Sequence, residues 1–181
     1  MRKQGGFRVE AKAFEEALDE YHNWRAATGG GVVTHQELRS RWVRKRRDPK
    51  AHQVTLRSNC DFEGFVNHNG KTYPVRIEAK TFTTEKGWSY AEWWADRKHQ
   101  PQKLELWKRN GGIALVLVRY AVMTPGYGLP SCPTWILTYD QIEAQIRASQ
   151  RTMSIEELKQ QGVLCYGVDW VQTAAEAGIL A

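Results

Sequence analysis

A length of 181 residues fits one compact domain with its own core and is short for two. Hydrophobic residues make up 41% of the chain and no apolar run approaches the span of a bilayer, so insertion into a membrane through helices is excluded and a soluble protein is expected. The formal net charge of +6 and a pI of about 9.3 favour polyanionic partners.

The N-terminus, Met1 to Gly6, lacks the apolar stretch of a secretory signal, which predicts a protein kept inside the cell. The first element is a helix over roughly residues 7 to 27, where Phe7, Ala11, Phe14, Leu18, Tyr21 and Trp24 recur at three- and four-residue spacing. Gly29-Gly30-Gly31 ends it, and a short strand follows at Val32 to His35. A basic segment, about 36–53, comes next: Arg39, Arg41, Arg44, Lys45, Arg46, Arg47 and Lys50 are interrupted by Trp42 and a single acid, Asp48. Most charge runs are solvated loops. One this one-sided, with an aromatic inside it, is better explained by phosphate contact plus a stacking or wedging side chain.

An extended stretch runs from His52 to Phe65, and a strand from Val75 to Lys80 alternates Val75, Ile77 and Ala79 with Arg76, Glu78 and Lys80. The first set is expected to face the core and the second to form a polar face. Between the two stretches, Asn69-Gly70 is a two-residue hairpin signal, because a type I′ turn needs positive φ at both positions. With that turn, His68 faces Lys71 and Asp61 faces Glu78, their Cβ atoms roughly 4.5–5.5 Å apart. A four-residue turn over Asn67 to Gly70 instead sets Asp61 opposite Arg76, an ordinary cross-strand ion pair.

Beyond Thr81 lie a Trp-rich segment (Trp88 to Trp94), His99-Gln100, and a helix from Pro101 to Asn110 closed by Gly111-Gly112. Trp88, Tyr90, Trp93 and Trp94 suit either base stacking or core, with core or dimer contact favoured for at least half of them. Ile113 to Tyr120 is the apolar run of a buried central strand, and Trp135 to Tyr139 reads as another. Helices are predicted near Asp140 to Ser149 and Ser154 to Gln161, the latter opened by a Ser154/Glu157 capping box, with one more between Asp169 and Gly178. The order predicts an α/β sandwich around a small mixed sheet. Cys60, Cys132 and Cys165 are far apart without a Cys-x-x-Cys pair, and His22, His35, His52, His68 and His99 have no ligand spacing, so neither a disulfide framework nor a zinc site is suggested.

Asp61 followed by Glu78-Ala79-Lys80 is an acid and then an acid-x-lysine, a set that suits phosphodiester cleavage. Such chemistry needs a hard cation to neutralise charge and activate water, and magnesium typically takes one or two carboxylates. Asp61 and Glu78 could supply them. Lys80, on the same side of the strand as Glu78, could orient the attacking water or stabilise the phosphate. Alone the triplet is a weak signal.

The stretch Ser58-Asn59-Cys60-Asp61-Phe62-Glu63-Gly64, followed by Ile77-Glu78-Ala79-Lys80-Thr81, resembles the RecU-type Holliday junction resolvases of the PD-(D/E)XK nuclease superfamily. His99-Gln100, Gly111-Gly112-Ile113 and Phe14-Glu15 extend the likeness over roughly residues 10 to 120. A Pro-Thr-Pro element of that family is missing after the first strand. The resemblance implies a single domain over 1–181 with a PD-(D/E)XK nuclease-like, restriction-endonuclease-like core of mixed sheet flanked by helices. It implies Asp61 and Glu78 as metal ligands, Lys80 as the catalytic lysine, and Glu15 and Gln100 as auxiliary residues that position water. Mg²⁺, or Mn²⁺ in its place, is the implied cofactor. The basic segment corresponds to a stalk entering the junction centre, with Arg39, Arg41, Trp42, Arg44, Lys45, Arg46, Arg47 and Lys50 as DNA contacts. Expected, then, is a homodimeric, cytoplasmic endonuclease of a bacterial or phage-infected cell that nicks four-way DNA junctions in pairs during recombination and repair. Two competing readings are a related nuclease or nickase acting on other DNA, and a non-catalytic DNA-binding protein whose acids merely pair with Arg76 and Lys80.

Overall fold

The computed structural model describes residues 5–36, 40–44, 51–55, 60–84, 86–90, 93, 99–121, 132–148 and 150–181, with the backbone alone for 5–9, 40–44 and 51–55. Helix α1 (Gly5–Ala27) leads into β1 (Gly31–His35), then β2 (Ser40–Arg44), β3 (Ala51–Thr55), β4 (Phe62–His68) and β5 (Lys71–Phe82). A two-residue β6 (Trp88–Ser89), α2 (His99–Arg109), β7 (Ile113–Tyr120) and β8 (Pro133–Thr138) follow. The chain closes with α3 (Tyr139–Arg147), β9 (Thr152–Met153), α4 (Ile155–Gln161), β10 (Val163–Tyr166) and α5 (Trp170–Glu176).

Six strands form one sheet in the order β1-β4-β5-β7-β8-β10. Only the β5–β7 pair is parallel, and its crossover carries α2, as a parallel connection requires. The other neighbours are antiparallel. Strands β2 and β3 pair with each other, Ser40 against Thr55 and Arg44 against Ala51, in a separate two-stranded sheet that carries Arg41, Trp42 and Arg44 of the basic segment. Strand β6 pairs with β9 in another.

The helices lie in two layers because the sheet offers two apolar faces. On one, Phe14 and Leu18 of α1 and Trp170, Val171 and Ala174 of α5 pack on Val75, Ile77, Leu115 and Leu117. On the other, Leu104 of α2, Ile142 of α3 and Leu158 of α4 pack with Cys60, Trp88, Tyr90, Trp93, Val116 and Val118. The run Ile113 to Tyr120 is thus a central strand buried on both faces, as its apolar stretch through Val118 predicts.

Several expectations need correction. Trp24 does not join the buried stripe of α1: it is 59% exposed, one turn beyond Tyr21, where the helix runs out into the Thr28–Gly30 turn. Strand β5 is twice as long as the alternating segment suggests, and its second face, polar as expected, is buried at Arg76 and Glu78 beneath the α2 layer. Tyr139 opens α3 rather than ending a strand, with Thr138 as N-cap in a capping box. Pro101 falls at the third residue of α2, still within the first turn, where its missing N–H costs nothing. The short strands β6, β9 and β10 were not foreseen. They have too few residues for periodicity to register, and β10 completes the far edge of the sheet.

Candidate active site

The hairpin between β4 and β5 decides the register. Asn69 (φ 48°) and Gly70 (φ 74°) both adopt the left-handed conformation of a type I′ turn. His68 therefore faces Lys71, and the ladder runs without a bulge to Phe62 against Ile77. One step further the ladder has ended, and Asp61 reaches Ala79, the neighbour of Glu78. The Ala79 N–H, lacking a strand carbonyl, donates instead to Asp61 Oδ2 at 2.8 Å. That bond orients one carboxylate oxygen of Asp61. Asp61 itself is half-buried.

The alternative pairing of Asp61 with Arg76 does not form. Arg76 pairs with its own cross-strand partner Glu63 at 2.5 Å, donates to the Lys103 carbonyl at 3.1 Å, and stacks over the Trp107 ring at 4.3 Å. Gly64 is explained in the same strand. A Cβ there would lie 2.0 Å from the Val32 carbonyl oxygen, so only glycine lets β1 and β4 approach this closely beside Asp61.

Glu78 is fully buried at the middle of β5, between β4 and the Val116 position of β7. A carboxylate in such a place stays ionised only with a charged partner, and Lys80, two residues along the same face, donates its ammonium to Glu78 Oε1. Lys80 Nζ in turn lies 5.7 Å from the centroid of the Trp93 ring, whose Nε1–H donates to Gln100 Oε1 at 2.9 Å in a buried bond. Glu78, Lys80, Trp93 and Gln100 form one continuous chain of contacts, joining the middle of β5 to the first turn of α2. Beneath it lies Cys60, a buried thiol pushed well above its usual range by burial and then by the Glu78 carboxylate, which makes it inert rather than nucleophilic.

Trp93 is the member that residue-by-residue reading did not single out. It packs in the core with Trp88 (ring centroids 5.8 Å), as one expectation had it, and also touches both Lys80 and Gln100. No spacing rule distinguishes it in sequence from Trp88; Trp94 lies outside the described residues.

Glu15 is half-buried on α1, 3.8 Å from His35 Nε2, and the His35 ring packs against Phe62 at 5.0 Å. This sets Glu15 at the same end of the sheet as Asp61, on the α1 layer. Among the described residues no three His, Cys, Asp or Glu side chains gather as a metal cluster, so Glu15 does not form one with Asp61 and Glu78. Of the basic segment, Arg41, Trp42 and Arg44 fall on β2. Arg39, Lys45, Arg46, Arg47 and Lys50 lie outside the described residues. Among the described residues, no helix is long and apolar enough to cross a membrane.

A mixed six-stranded sheet flanked by helices on both faces makes this an α/β protein with a PD-(D/E)XK nuclease-like fold. The model of one protein family, RecU, described as recombination protein U, matches residues 11–171. The chain belongs to the RecU family. No curated protein sequence matches it significantly.

Proposed function

We propose that the chain is a structure-specific endodeoxyribonuclease that resolves four-way (Holliday) junctions by paired, Mg²⁺-dependent nicking in DNA recombination and repair. One observation carries the reading: the Asn69-Gly70 hairpin brings Asp61 to Ala79, the neighbour of Glu78, with the Lys80 amine on the same face as Glu78. Membership of the RecU family supports the reading.

The donor set fits the cofactor. Asp61 and Glu78 offer hard carboxylate oxygens, and Mg²⁺ is commonly held by one or two carboxylates with water completing its shell. Mn²⁺, with similar ligand preference, would substitute. When bound, the ion supplies charge neutralisation at the scissile phosphate and lowers the pKa of water. Asp61, anchored through Oδ2, and Glu78 would hold it. Lys80 would present its ammonium to the phosphate or the attacking water, and Gln100, held by Trp93, and Glu15 would position water.

The basic segment, with Arg39, Arg41, Trp42, Arg44, Lys45, Arg46, Arg47 and Lys50, is the proposed DNA contact, reading branch shape and phosphates. Two related cuts on a two-fold substrate are most simply made by a two-fold enzyme, so the active form is proposed as a homodimer, at work in the cytoplasm of a bacterial or phage-infected cell.

A labelled four-way junction and a matched linear duplex, each incubated with Mg²⁺ or with EDTA, test this. Paired nicks on the junction in Mg²⁺ alone are expected. Equal cutting of both DNAs would assign the site to a nuclease of other specificity, and retardation without cleavage would leave a DNA-binding protein.

A further inference from the structure

Arg76 stands two residues before Glu78 on the same face of β5 and ties three elements together at one point. Its Nη2–H donates to Glu63 Oε2 of β4 at 2.5 Å, and its Nη1–H donates to the Lys103 carbonyl of α2 at 3.1 Å. One turn further along that helix, the Trp107 ring lies 4.3 Å beneath the guanidinium. The ring is itself fixed from two sides. Trp107 Nε1–H donates to the Pro74 carbonyl at 3.4 Å, and a Cβ on Gly112, at the entry to β7, would collide with the indole. Gly112 thus seats Trp107 as well as following the helix end.

Gln100, Leu104 and Trp107 recur at helical spacing, so they share the face of α2 that meets the sheet. A helix gripped from β5 at Lys103 and Trp107 cannot turn or slide without carrying Gln100 away from Trp93, its link to Lys80. We propose that Arg76 is a positioning residue for the nuclease reaction: through Lys103 and Trp107 it fixes α2 on β5 and so holds Gln100 in place. Its consequence for cleavage rests on the nuclease reading; its geometric part does not. Arg76 is 8% exposed, with both Nη groups engaged by protein acceptors, so it acts through α2 and not by touching a phosphate. An ordinary buried ion pair with Glu63 would need neither the Lys103 bond nor the Trp107 ring, and lysine would satisfy it. The planar fork that grips two acceptors while lying flat on an indole is a property of arginine alone.

Arg76→Lys keeps a cation for Glu63 and loses the grip on α2, and two readouts on the whole chain follow it. The first is hydrogen exchange of the Trp93 indole N–H, its signal assigned by its absence in Trp93→Phe. Exchange should quicken roughly tenfold or more in the folded variant as the bond to Gln100 loosens. The second is junction cleavage in Mg²⁺, where kcat should fall about tenfold with KM near its original value. Combined with Gln100→Ala, Arg76→Lys should cause no further fall, because both changes act on one group. Trp107→Leu, which leaves the Arg76–Glu63 pair intact, should reproduce both effects and decides the matter if Arg76→Lys fails to fold. Unchanged exchange at Trp93, an unchanged kcat, or losses that multiply with Gln100→Ala overturns the proposal. A wild-type chain that nicks no junction removes the nuclease reading instead, and exchange at Trp93 then decides whether Arg76 places α2.

Discussion

Strand β5 buries both of its faces, and the two do so by different physics. Val75, Ile77 and Ala79 lie under α1 and α5 because apolar area leaves water there. Arg76, Glu78 and Lys80 lie under α2 only because each charge has found a specific partner: Glu63 and the Lys103 carbonyl for Arg76, and the Lys80 ammonium for Glu78. On the first face a side chain is defined by size and is replaceable by another of its volume. On the second, removing one member strands another in a poorly solvated place, so the chemistry sits where substitution is least forgiving.

The largest effect expected from testing that contrast is on cleavage. Asp61→Asn keeps the shape at the hairpin end but removes a ligand charge, and junction cleavage should fall by about a thousandfold or more while retardation of the junction persists. Undiminished nicking by this variant would remove Asp61 from the mechanism. Next come the two faces themselves. Lys80→Met should abolish cleavage and also lower stability by about 3–5 kcal/mol in urea unfolding, because Glu78 loses its counter-ion. Ile77→Ala, its neighbour on the apolar side, should lose about 2–5 kcal/mol yet leave the folded protein fully active. If Ile77→Ala costs activity and Lys80→Met does not, the division of labour between the faces is wrong.

A smaller change is expected at Trp93. Trp93→Phe retains an aromatic face toward Lys80 and deletes the donor to Gln100, so kcat should drop roughly tenfold with KM near its original value, in line with loss of one positioning hydrogen bond. An unchanged kcat would make Trp93 a packing residue alone. A separate effect, on stability and not on cleavage, is a pH slope from the α1 side. His22 is buried, accepts at Nε2 from the Trp170 indole at 3.0 Å, and is held down to about 3 from its usual 6.5, first by burial and then by Arg25. The unfolded chain binds the proton more readily, so the contribution of His22 is full above pH 6.5 and declines as the pH falls toward 3, by at most about 1.4 kcal/mol per unit. Unfolding measured from pH 7 to pH 4 should show that decline, and His22→Phe should flatten it.

How legible the protein was depended on how local each cause is. The turn at Asn69-Gly70 announces itself because two adjacent residues adopt positive φ, and of the two registers the sequence allows, the two-residue turn holds out to Phe62 and Ile77. The capping box at Ser154 and Glu157 is equally self-contained. By contrast, the alternation of Arg76, Glu78 and Lys80 points only to a polar face, and it is the helical layer above that buries Arg76 and Glu78. Trp93 could not be told from Trp88, since its distinction is a bond to a residue carried on another helix.

By itself the amino-acid order determined the hairpin signal and the family pattern around the two acids, consequences of dihedral preference and counting along one strand pair, while the choice between two possible registers fell to the structure. Tertiary structure alone decided that Glu78 is buried, that Trp93 joins Lys80 to Gln100, and that Val163 to Tyr166 closes the sheet. Burial and the pairing of charges depend on which distant segments pack together, and no short window of sequence contains both halves of such a contact.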